Sequence, residues 1–386
     1  MASLVELALQ VQNAAEAVSS GKAKDNLALL KAMRNLNRVA ESPSDRLRRV
    51  VYQTVQSAAV RLAVEMGLPK ALAERGQMTA AELAIQSGAD HLLVVRVMRV
   101  LVAMDLVDET GEEQYQCSPS TQCLALPTWT GATRFIHDTL TPSFAKLVEY
   151  HHSTGFNIKD MPLFEYALGS GFWTCCREIP LLHDDFSAYM RGRKDGLPRW
   201  LDYFPVSTQV SDLSTAPDAV TLVDIGGNLG HDLKLFQKHC PQIPGRLVLM
   251  DLPEALAVNT EKLEGIEQIP YDFFQPQSII GAKFYMFRAI CHDWPDADCI
   301  KFLGNTVKAM KKGYSRILIN DQVLPNTGVD LHPAVLDLAM MTWFHAMERT
   351  EKQWKTMLDA VGVDIVKIWR FEGGGTEAVI EAKMRE

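Results

Sequence analysis

The chain has 386 residues, of which 47% are hydrophobic and 22% are charged, a balance typical of a globular protein with one large or two medium domains. Its 39 basic and 47 acidic side chains give a formal net charge of -8, which argues against a general nucleic-acid binder and against binding to an anionic membrane. The seven cysteines have no paired metal-ligand spacing, so we expect neither a disulfide framework nor a metal site. The first residues lack a basic start and a long apolar stretch, which favours a cytoplasmic protein without a membrane span.

The first part of the chain has the spacing of amphipathic helices. Apolar residues recur at helical intervals over residues 1–40, and Ser42 with Pro43 predicts the start of a longer helix that runs to about Gly67. Isolated amphipathic helices are poorly stable in water. We therefore expect these helices to pack against a partner subunit or against the rest of the chain.

Residues 68–124 carry the pattern of a winged helix-turn-helix. Thr79 and Glu82 form a capping box that opens a short helix, and Gly88 ends that helix. An apolar helix over Leu92–Met104 follows, and then two short strands flank a turn at Gly111. The pattern thus predicts two helices and a small hairpin.

Two functions are open to such a region, DNA recognition or packing and dimerisation. The second helix offers only Arg96 and Arg99 among valines, leucines and methionines. Because the whole chain is also acidic, the sequence favours dimerisation and predicts no nucleic-acid partner.

After residue 217, short apolar runs alternate with amphipathic helical patterns, which predicts an α/β fold with a doubly wound, mostly parallel sheet. Two late strands that lie close together in the chain indicate an antiparallel edge. The predicted strands are Val220–Ile225, Arg246–Met250, Phe284–Ile290, Arg316–Ile319, Val363–Trp369 and Ala378–Ala382.

Residues 126–215 are predicted to be helical and are rich in aromatic side chains, among them Trp173 and Phe186. Such a segment builds the wall of a substrate pocket in some enzymes. Packing in the protein core explains the same composition, and the sequence leaves both interpretations open.

The most informative motif runs from Val223 to Gly230, at the end of the first predicted strand and the start of a helix. Its glycines let the backbone approach a ligand, and the helix N-terminus offers free N–H groups. The next strand ends at Asp251, whose carboxylate is suited to accept hydrogen bonds from both hydroxyls of a ribose. Asn228 and His231 stand where the dinucleotide fingerprint has its second and third glycines, so the pattern favours a nucleoside ligand without a pyrophosphate.

A second candidate group follows the strand that begins at Phe284. His292 lies beyond the carboxyl end of this strand, where open parallel sheets bind ligands, and its ordinary pKa of about 6.5 suits a general base. The alternative is that Asp293 or Asp296 caps the following helix and that His292 is an ordinary loop histidine.

Two acidic residues are candidates for orienting this histidine and stabilising its protonated form. Asp321 is predicted to end the next strand and to face the same crevice. Glu348 precedes a helix that is expected to begin near Thr350. In the alternative interpretation, Thr350 is only the helix cap and Glu348 is a surface residue.

Four motifs together resemble one family. The sequence contains GG-x-x-G, then Asp251-Leu252-Pro253, then HDWPD at His292–Asp296 and ERT at Glu348–Thr350, and this order is similar to the S-adenosylmethionine-dependent O-methyltransferases of plants and fungi. The winged-helix stretch resembles the dimerisation region of the same family. The resemblance covers residues from about 45 to 384 and implies a homodimer that acts on a small-molecule acceptor.

The resemblance also implies a domain organisation. A helical and winged-helix dimerisation domain is expected at residues 1–130. A Rossmann-like class I methyltransferase domain is expected at 131–386, with the helical pocket wall at 131–215.

The cofactor implied by the resemblance is S-adenosyl-L-methionine. By analogy, the glycines line its methionine part, Asp251 binds its ribose, Asp272 and Phe273 meet its adenine, and Arg288 lies near it. The implied cofactor-binding residues are Gly226, Gly227, Gly230, Asp251, Leu252, Asp272, Phe273 and Arg288.

The resemblance makes His292 the general base, with Asp321 and Glu348 beside it. It also places Phe186, Met190 and Met340 at positions that contact the acceptor. We add Trp173 of the aromatic segment and His137, which is either a polar group of the pocket or a core residue; the acceptor residues are therefore His137, Trp173, Phe186, Met190 and Met340.

The sequence departs from the family pattern at three places. Asn228 replaces a usual third glycine, and Asp321 stands where plant members often carry glutamate. Ala167 and Leu168 occupy a place where plant phenolic enzymes commonly have a histidine. The absence of that histidine argues against a simple phenylpropanoid acceptor. By analogy, the acidic composition and the aromatic segment suggest a phenol or enol of a small aromatic or polyketide-like metabolite.

Two rival functions share this fold. Some fungal relatives bind the cofactor without using its methyl group and catalyse dehydration or pericyclic ring formation instead, and these tend to have replaced the base. A catalytically silent binding or regulatory subunit is the second rival. The presence of His292, Asp321 and Glu348 favours methyl transfer.

Overall fold

The structure is a computed structural model, and the residues it describes are 2–21, 26–158, 161–192, 198–214, 216, 218–257, 263–372 and 374–385. They form two compact units. The first comprises the described residues of 1–148 and 167–197, and the second those of 149–166 and 198–386. The predicted boundary at residue 130 stays a prediction.

Helices dominate the first half of the chain. In order, its elements are α1 (Leu4–Ser19), α2 (Leu27–Ala40), α3 (Pro43–Val51), α4 (Gln53–Glu65), α5 (Leu68–Arg75), β1 (Gln77–Thr79), α6 (Ala80–Ser87), α7 (His91–Ala103), β2 (Asp108–Gly111), β3 (Gln114–Gln116), α8 (Pro119–Ala125), α9 (Pro127–Ala145), α10 (Leu147–Ser153), α11 (Leu163–Leu168), α12 (Phe172–Glu178), α13 (Pro180–Gly192), α14 (Trp200–Tyr203) and α15 (Val206–Gln209).

Strands and helices alternate in the rest of the chain. These elements are β4 (Val220–Ile225), α16 (His231–His239), β5 (Arg246–Asp251), α17 (Pro253–Ala257), β6 (Ile266–Pro270), β7 (Phe284–Arg288), a 3-10 turn (Cys291–Asp293), α18 (Asp296–Ala309), β8 (Arg316–Leu324), α19 (Leu331–Phe344), β9 (Arg349–Thr350), α20 (Glu351–Ala360), β10 (Val363–Arg370) and β11 (Glu377–Met384).

The long helix predicted from Ser42 to Gly67 is interrupted. Ser42 caps α3 as expected, because its hydroxyl accepts a hydrogen bond from the backbone N–H of Asp45. Tyr52 then leaves helical geometry, with φ -90° and ψ 4°, directly after the β-branched Val51, and α4 begins at the next residue. The prediction of one continuous helix was therefore wrong.

The winged helix-turn-helix prediction is confirmed. Thr79 and Glu82 form the expected capping box at the start of α6, and Gly88 ends this helix in a left-handed conformation. The wing has a third strand, β1, which the sequence analysis missed, and the strand order is β1-β3-β2 with antiparallel pairing. Its core contains the buried Leu83, Met98 and other apolar side chains of α6 and α7.

The second unit contains the predicted doubly wound sheet. The strand order is β10-β11-β8-β7-β4-β5-β6, and β9 pairs with β8. Strands β8, β7, β4, β5 and β6 are parallel neighbours, and β11 and β10 add an antiparallel edge. The edge strand β6 was not predicted, because its short stretch, Ile266–Pro270, has two adjacent polar residues at its centre and ends in a proline.

The sheet is buried on both faces because successive side chains of a strand point in opposite directions. Val223 and Tyr285 pack on one face with Trp354 of α20. Leu222 and Phe284 pack on the other face with other apolar groups. A sheet covered on both faces has its backbone fixed, so groups at the strand ends are held in defined positions.

Two predicted strand ends need correction. The strand that begins at Phe284 ends at Arg288 and not at Ile290, because Ala289 adopts a left-handed φ of 52° and turns the chain. Asp321 lies inside β8 and not at its end, since β8 continues beside β11 and β9. The parallel ladder with β7 nevertheless ends at Asn320, so Asp321 comes directly after it.

The prediction for the middle of the chain is confirmed, since the described residues of 126–215 contain helices and no strand. Across the described ranges, no helix is both long and apolar enough to span a bilayer.

Candidate active site

The glycine loop joins β4 to α16 in a conformation that needs its glycines. Gly226 and Gly230 have left-handed φ angles of 73° and 70°, where a side chain is strained. Asn228 is also left-handed, with φ 50°, and asparagine tolerates this region better than most residues. The replacement of a family glycine by Asn228 is thus compatible with the loop.

The loop also lies too close to its neighbours for side chains. A Cβ atom added at Gly226 would stand 2.6 Å from Cδ1 of Ile290, and one added at Gly227 would stand 2.6 Å from Cδ1 of Leu249 and would collide with the carboxylate of Asp224. Ile290 is two residues before His292. The glycine loop therefore touches the segment that carries the candidate base.

Asp251 ties the glycine loop to the end of β5. Its Oδ2 accepts a hydrogen bond of 2.7 Å from the backbone N–H of Asn228, and its Oδ1 accepts one of 2.7 Å from that of Leu252. Burial raises the pKa of the Asp251 carboxyl. Each carboxylate oxygen has two acceptor positions, so both retain capacity for a ligand hydroxyl.

Leu252, Asp272 and Phe273 follow the ends of β5 and β6. Leu252 is 42% exposed. Asp272 accepts a hydrogen bond of 2.9 Å from the backbone N–H of Phe274. The ring of Phe273 packs edge-on against Trp294 with 5.7 Å between centroids. An exposed apolar side chain, a fixed carboxylate and an aromatic ring are groups that suit a purine.

Arg288 ends β7 and links three elements. Its Nε donates to Oδ1 of Asn320 at 2.8 Å, its Nη1 donates to Asp232 in the first turn of α16 at 3.0 Å, and its Nη2 lies 3.6 Å from Glu377. Arg288 thus braces the helix that follows the glycine loop.

His292 lies in the 3-10 turn after β7 and is only 4% exposed. Its Nδ1 is 2.9 Å from Oε1 of Glu348 and 3.9 Å from Oδ1 of Asp321, and its Nε2 is 3.5 Å from Oδ1 of Asp293. The structure therefore brings the three predicted catalytic residues together and adds a fourth member, Asp293.

Burial and the neighbouring carboxylates shift the pKa of His292 in opposite directions. Burial lowers the pKa of His292, but Asp293, Asp321 and Glu348 stabilise the protonated ring and raise that pKa to about 10. Burial raises the pKa of Asp321 to about 7, even though the positive ring favours its ionised form. The cluster consequently favours a proton on the imidazole, and burial favours the protonated form of Asp321.

Two carboxylate oxygens of the cluster are not used. Oδ2 of Asp321 and Oε2 of Glu348 are buried and have no hydrogen-bond partner among the residues described. Buried polar atoms of this kind are costly unless another group pairs with them. They are the kind of acceptor that a hydroxyl group of a ligand would satisfy.

The position of Glu348 is fixed by a residue that the sequence analysis missed. Asp337 of α19 accepts a hydrogen bond of 2.8 Å from the backbone N–H of Glu348. The predicted acceptor residue Met340 lies one turn further along the same helix and is buried. An acidic residue in the mostly apolar α19 was the available signal for Asp337.

The alternative roles suggested by the sequence are also resolved. Thr350 does cap α20, yet Glu348 is buried beside His292 and is not a surface residue. Asp296 begins α18 without a side-chain cap bond, and its carboxylate pairs with Arg349.

The remaining acceptor candidates lie in the first unit. His137 of α9 is hydrogen-bonded through Nδ1 to Asp138 at 3.0 Å, and Asp138 also accepts from Arg61. Trp173 of α12 packs edge-on against Phe186 of α13 at 5.8 Å. His137 is therefore linked by hydrogen bonds through Asp138 to Arg61, and it is only partly buried.

These aromatic side chains form a larger cluster, to which Phe135 of α9 contributes. Its ring is 5.3 Å from Phe186 and 5.2 Å from Tyr189. Met190 follows Tyr189 on α13, and Trp173 is 43% exposed. The cluster thus offers an accessible aromatic surface.

Comparison with known proteins identifies both parts of the chain. Residues 161–364, more than half of the protein, match the O-methyltransferase domain, and residues 49–126 match the O-methyltransferase dimerisation domain. The O-methyltransferase asqD of Emericella nidulans is 33% identical over 85% of this chain and 86% of its own length. The demethylsterigmatocystin 6-O-methyltransferase of Aspergillus flavus is 33% identical over 81% of each chain.

Several solved structures match this structure over almost the whole chain. A protein described as a pericyclic reaction enzyme has a TM-score of 0.86 at 28% identity and covers 97% of both chains. LepI in complex with SAM has a TM-score of 0.87 at 27% identity, covering 99% of this chain and 100% of LepI. OxaC in complex with sinefungin and meleagrin has a TM-score of 0.85 at 28% identity and covers 99% of both. The domain matches, the fungal relatives and these structures show that the chain belongs to the O-methyltransferase family.

Proposed function

We propose that this protein transfers the methyl group of S-adenosylmethionine to a phenol or enol oxygen of a small aromatic or polyketide-like metabolite, with His292 as the general base. The observation that carries the proposal is the buried cluster of His292, Glu348 and Asp321, close to a glycine loop that packs against Ile290. Family membership supplies the reaction class, and the cluster supplies the base.

The hydrogen bonds of His292 assign a role to each ring nitrogen. The carboxylate of Glu348 accepts the proton on Nδ1, which leaves Nε2 as the nitrogen that takes the proton of the acceptor. Glu348 fixes the tautomer and the orientation of the ring. Asp321, 3.9 Å from Nδ1, adds negative charge that favours the protonated ring formed in the reaction.

The raised pKa of His292 has a kinetic consequence. Below about pH 10 the ring of the free enzyme is mostly protonated, so the fraction able to accept a proton rises tenfold with each pH unit. A phenol with an ordinary pKa of about 10 matches such a base closely. We therefore expect transfer to become faster with rising pH through the neutral range.

The cofactor fits the residues around the glycine loop. The loop backbone is free of side chains at Gly226 and Gly227, and Asp251 keeps acceptor positions for ribose hydroxyls. Asp272 and the ring of Phe273 would hold the adenine. S-adenosylmethionine supplies a methyl group on a positively charged sulfonium, whose charge is lost on transfer to an oxygen anion.

The protein contributes mainly by placement and by exclusion of water. Holding two reactants in the correct geometry is worth up to about 7–11 kcal/mol. Proton removal by His292 adds a factor of about 10²–10⁴. A site whose histidine and two carboxylates are each less than 5% exposed keeps its dipoles fixed and thereby strengthens their effect.

The acceptor class is argued from the first unit and from the relatives. The aromatic cluster around Phe135 and Phe186 suits a flat, apolar molecule, and the exposed Trp173 extends it. The relative from Aspergillus flavus is described as acting on demethylsterigmatocystin. On this basis the acceptor is an aromatic or polyketide-like metabolite, and Trp173, Phe186 and Met190 of the first unit are its proposed contacts.

A second candidate function is supported by one observation. The protein described as a pericyclic reaction enzyme shares the fold over 97% of this chain. In that case the cofactor would stay intact, its positive charge and the buried acidic groups would assist a dehydration or ring closure, and His292 would not need to act as a base. The complete cluster of His292, Asp321 and Glu348 favours methyl transfer.

The proposed assembly is a homodimer formed through the dimerisation domain at residues 49–126. Apolar side chains at its start support this, since Val50, Val51 and Tyr52 are exposed. Light scattering of the purified protein should give twice the mass of the chain, and a monomer would contradict the proposal.

The experiment that tests the function follows both the cofactor and the acceptor. Purified protein is incubated with S-adenosylmethionine and a panel of phenols, enols and hydroxypyridones, and mass spectrometry measures S-adenosylhomocysteine and the mass of each acceptor. We expect S-adenosylhomocysteine to form in a one-to-one ratio with an acceptor heavier by one methylene. An intact cofactor together with an isomerised or dehydrated acceptor would instead establish the second candidate.

A further inference from the structure

Arg349 is one of the largest fully buried side chains of the molecule, with 1% exposure. An arginine keeps its charge at any ordinary pH, so burial is tolerated only where its N–H groups are paired. None of the hydrogen bonds found for its guanidinium goes to the ring of His292, and the assignments made so far do not use Arg349.

The oxygen atoms that accept hydrogen bonds from Arg349 all belong to one short segment. Its Nη1 donates to the backbone carbonyl of Cys291 at 2.6 Å, and its Nη2 donates to that of Trp294 at 2.8 Å. Its Nε donates to Oδ1 of Asp296 at 2.7 Å. Since the 3-10 turn spans Cys291–Asp293, the guanidinium is bonded to the carbonyl at its start and to the one directly after its end.

A second buried residue reinforces the same two carbonyls. The thiol of Cys299 on α18 donates weakly to the carbonyl of Cys291 at 3.4 Å and to that of Trp294 at 3.5 Å. Nη2 of Arg349 lies 3.5 Å from the same sulfur. The guanidinium also lies over the ring of Trp354, 5.3 Å from its centroid.

Adjacent residues thus hold His292 in two different ways. Glu348 binds the imidazole ring, and Arg349 binds the backbone that carries it. Arg349 is fixed to the sheet because it pairs with Val323 of β8, and Glu348 is fixed to α19 because Asp337 accepts a hydrogen bond from its backbone N–H. The position of the ring relative to its carboxylate therefore depends on the Arg349 contacts.

We infer that Arg349 is a positioning residue that fixes the His292 turn so that the imidazole stays bonded to Glu348 and faces the acceptor. The inference rests on the proposed function, and it adds a residue that acts through another and touches neither substrate nor cofactor. A lysine cannot replace it, because one ammonium group does not match the planar set of donors that reaches two carbonyls and a carboxylate.

The test uses Arg349→Lys and Arg349→Met, with Arg316→Met as the matched control. Arg316 lies at the opposite end of β8, is partly buried, and likewise donates to backbone carbonyls, those of Tyr314 and Ser315. Thermal unfolding and calorimetric binding of S-adenosylhomocysteine show whether each variant is folded and able to bind cofactor.

The activity readout is the split between kcat and KM. We expect Arg349→Lys to bind S-adenosylhomocysteine as the wild type does, to change the KM for the acceptor little, and to lose about 100-fold in kcat, as expected for a misplaced base. Arg349→Met should lose at least as much, and if it fails to fold, the lysine variant decides alone. An Arg349→Lys enzyme with wild-type kcat, or one that loses no more kcat than Arg316→Met, would overturn the inference.

A second readout does not depend on catalysis. The proton on Nδ1 of His292, shared with Glu348, should give a downfield proton NMR signal, assigned by its absence in His292→Gln. The inference requires this signal to be lost or broadened in Arg349→Lys and retained in Arg316→Met; a retained signal in Arg349→Lys would refute it. If wild-type protein transfers no methyl group to any acceptor, the proposed function fails, and this signal still decides the role of Arg349.

Discussion

The two units of the molecule hold their candidate site residues in different ways. In the second unit, a charged cluster around His292 is buried at the end of a sheet covered on both faces, and its members are fixed by hydrogen bonds and ion pairs. In the first unit, candidate residues such as Phe186 lie on helices and are held by packing between rings. Hydrogen-bonded groups tolerate little displacement, whereas packed rings can adapt. We therefore predict that substitutions in the charged cluster change the rate of the chemical step, and that substitutions in the aromatic cluster change the KM for the acceptor.

The difference between the two units is tested most strongly by substitution of the proposed general base, His292. His292→Ala removes the group that accepts the proton, and we expect kcat for methyl transfer to fall by about 10²–10⁴-fold. Binding of S-adenosylhomocysteine should change little. His239→Ala is the control, because His239 is an exposed histidine at the end of α16 in the same unit. An unchanged transfer rate in His292→Ala would remove the general base from the account.

The cofactor residues should affect binding instead of chemistry. Asp251→Asn keeps the acceptor for the backbone N–H of Asn228 but removes the charge that strengthens bonds to ribose, each worth about 1.5–3 kcal/mol. We expect the affinity for S-adenosylhomocysteine, measured by calorimetry, to fall by about 10–100-fold. Glu254→Gln removes a charge from the exposed residue Glu254 of nearby α17 and should leave the affinity unchanged. If both variants lost affinity for S-adenosylhomocysteine equally, the loss would come from the change in net charge and not from the position of Asp251.

The smallest effect is expected in the first unit. Phe186→Ala removes a ring from the aromatic cluster, and ring pairs are worth about 0.5–1.5 kcal/mol, so the KM for the acceptor should rise by about 2–10-fold. The affinity for S-adenosylhomocysteine should stay the same. Phe144→Ala, at an exposed position near the end of α9, is the control. A loss of cofactor affinity in Phe186→Ala would contradict the division of roles.

The sequence predicted most of the second unit because its signals are local. The apolar runs correspond to buried strands, and the glycines correspond to left-handed or crowded positions such as Gly226 and Gly227. The edge strand β6 was missed because it is only partly buried and has no continuous apolar run. The interruption of the helix at Tyr52 was missed because the helical spacing of apolar residues continues across it.

The charged cluster was predicted in part. His292 and Glu348 were found through motifs, but the roles of Asp293, Asp337 and Arg349 depend on contacts between segments that are distant in the chain or on the geometry of a turn. The spacing of residues in the sequence does not predict such contacts. The same limit applies to the acceptor, because aromatic residues on a helix have the same pattern whether they line a pocket or fill a core.

The central claim is that His292 is the base and that neighbouring carboxylates hold its pKa near 10. The most direct test is the pH dependence of kcat/KM for wild type and for Glu348→Gln with the same acceptor. Loss of one negative charge 2.9 Å from Nδ1 lowers the pKa of His292, so the rising limb should move to lower pH by about one unit or more. The ionisation of the free acceptor is the same in both enzymes and cannot produce such a shift. A rising limb at the same pH in both enzymes would contradict the claim.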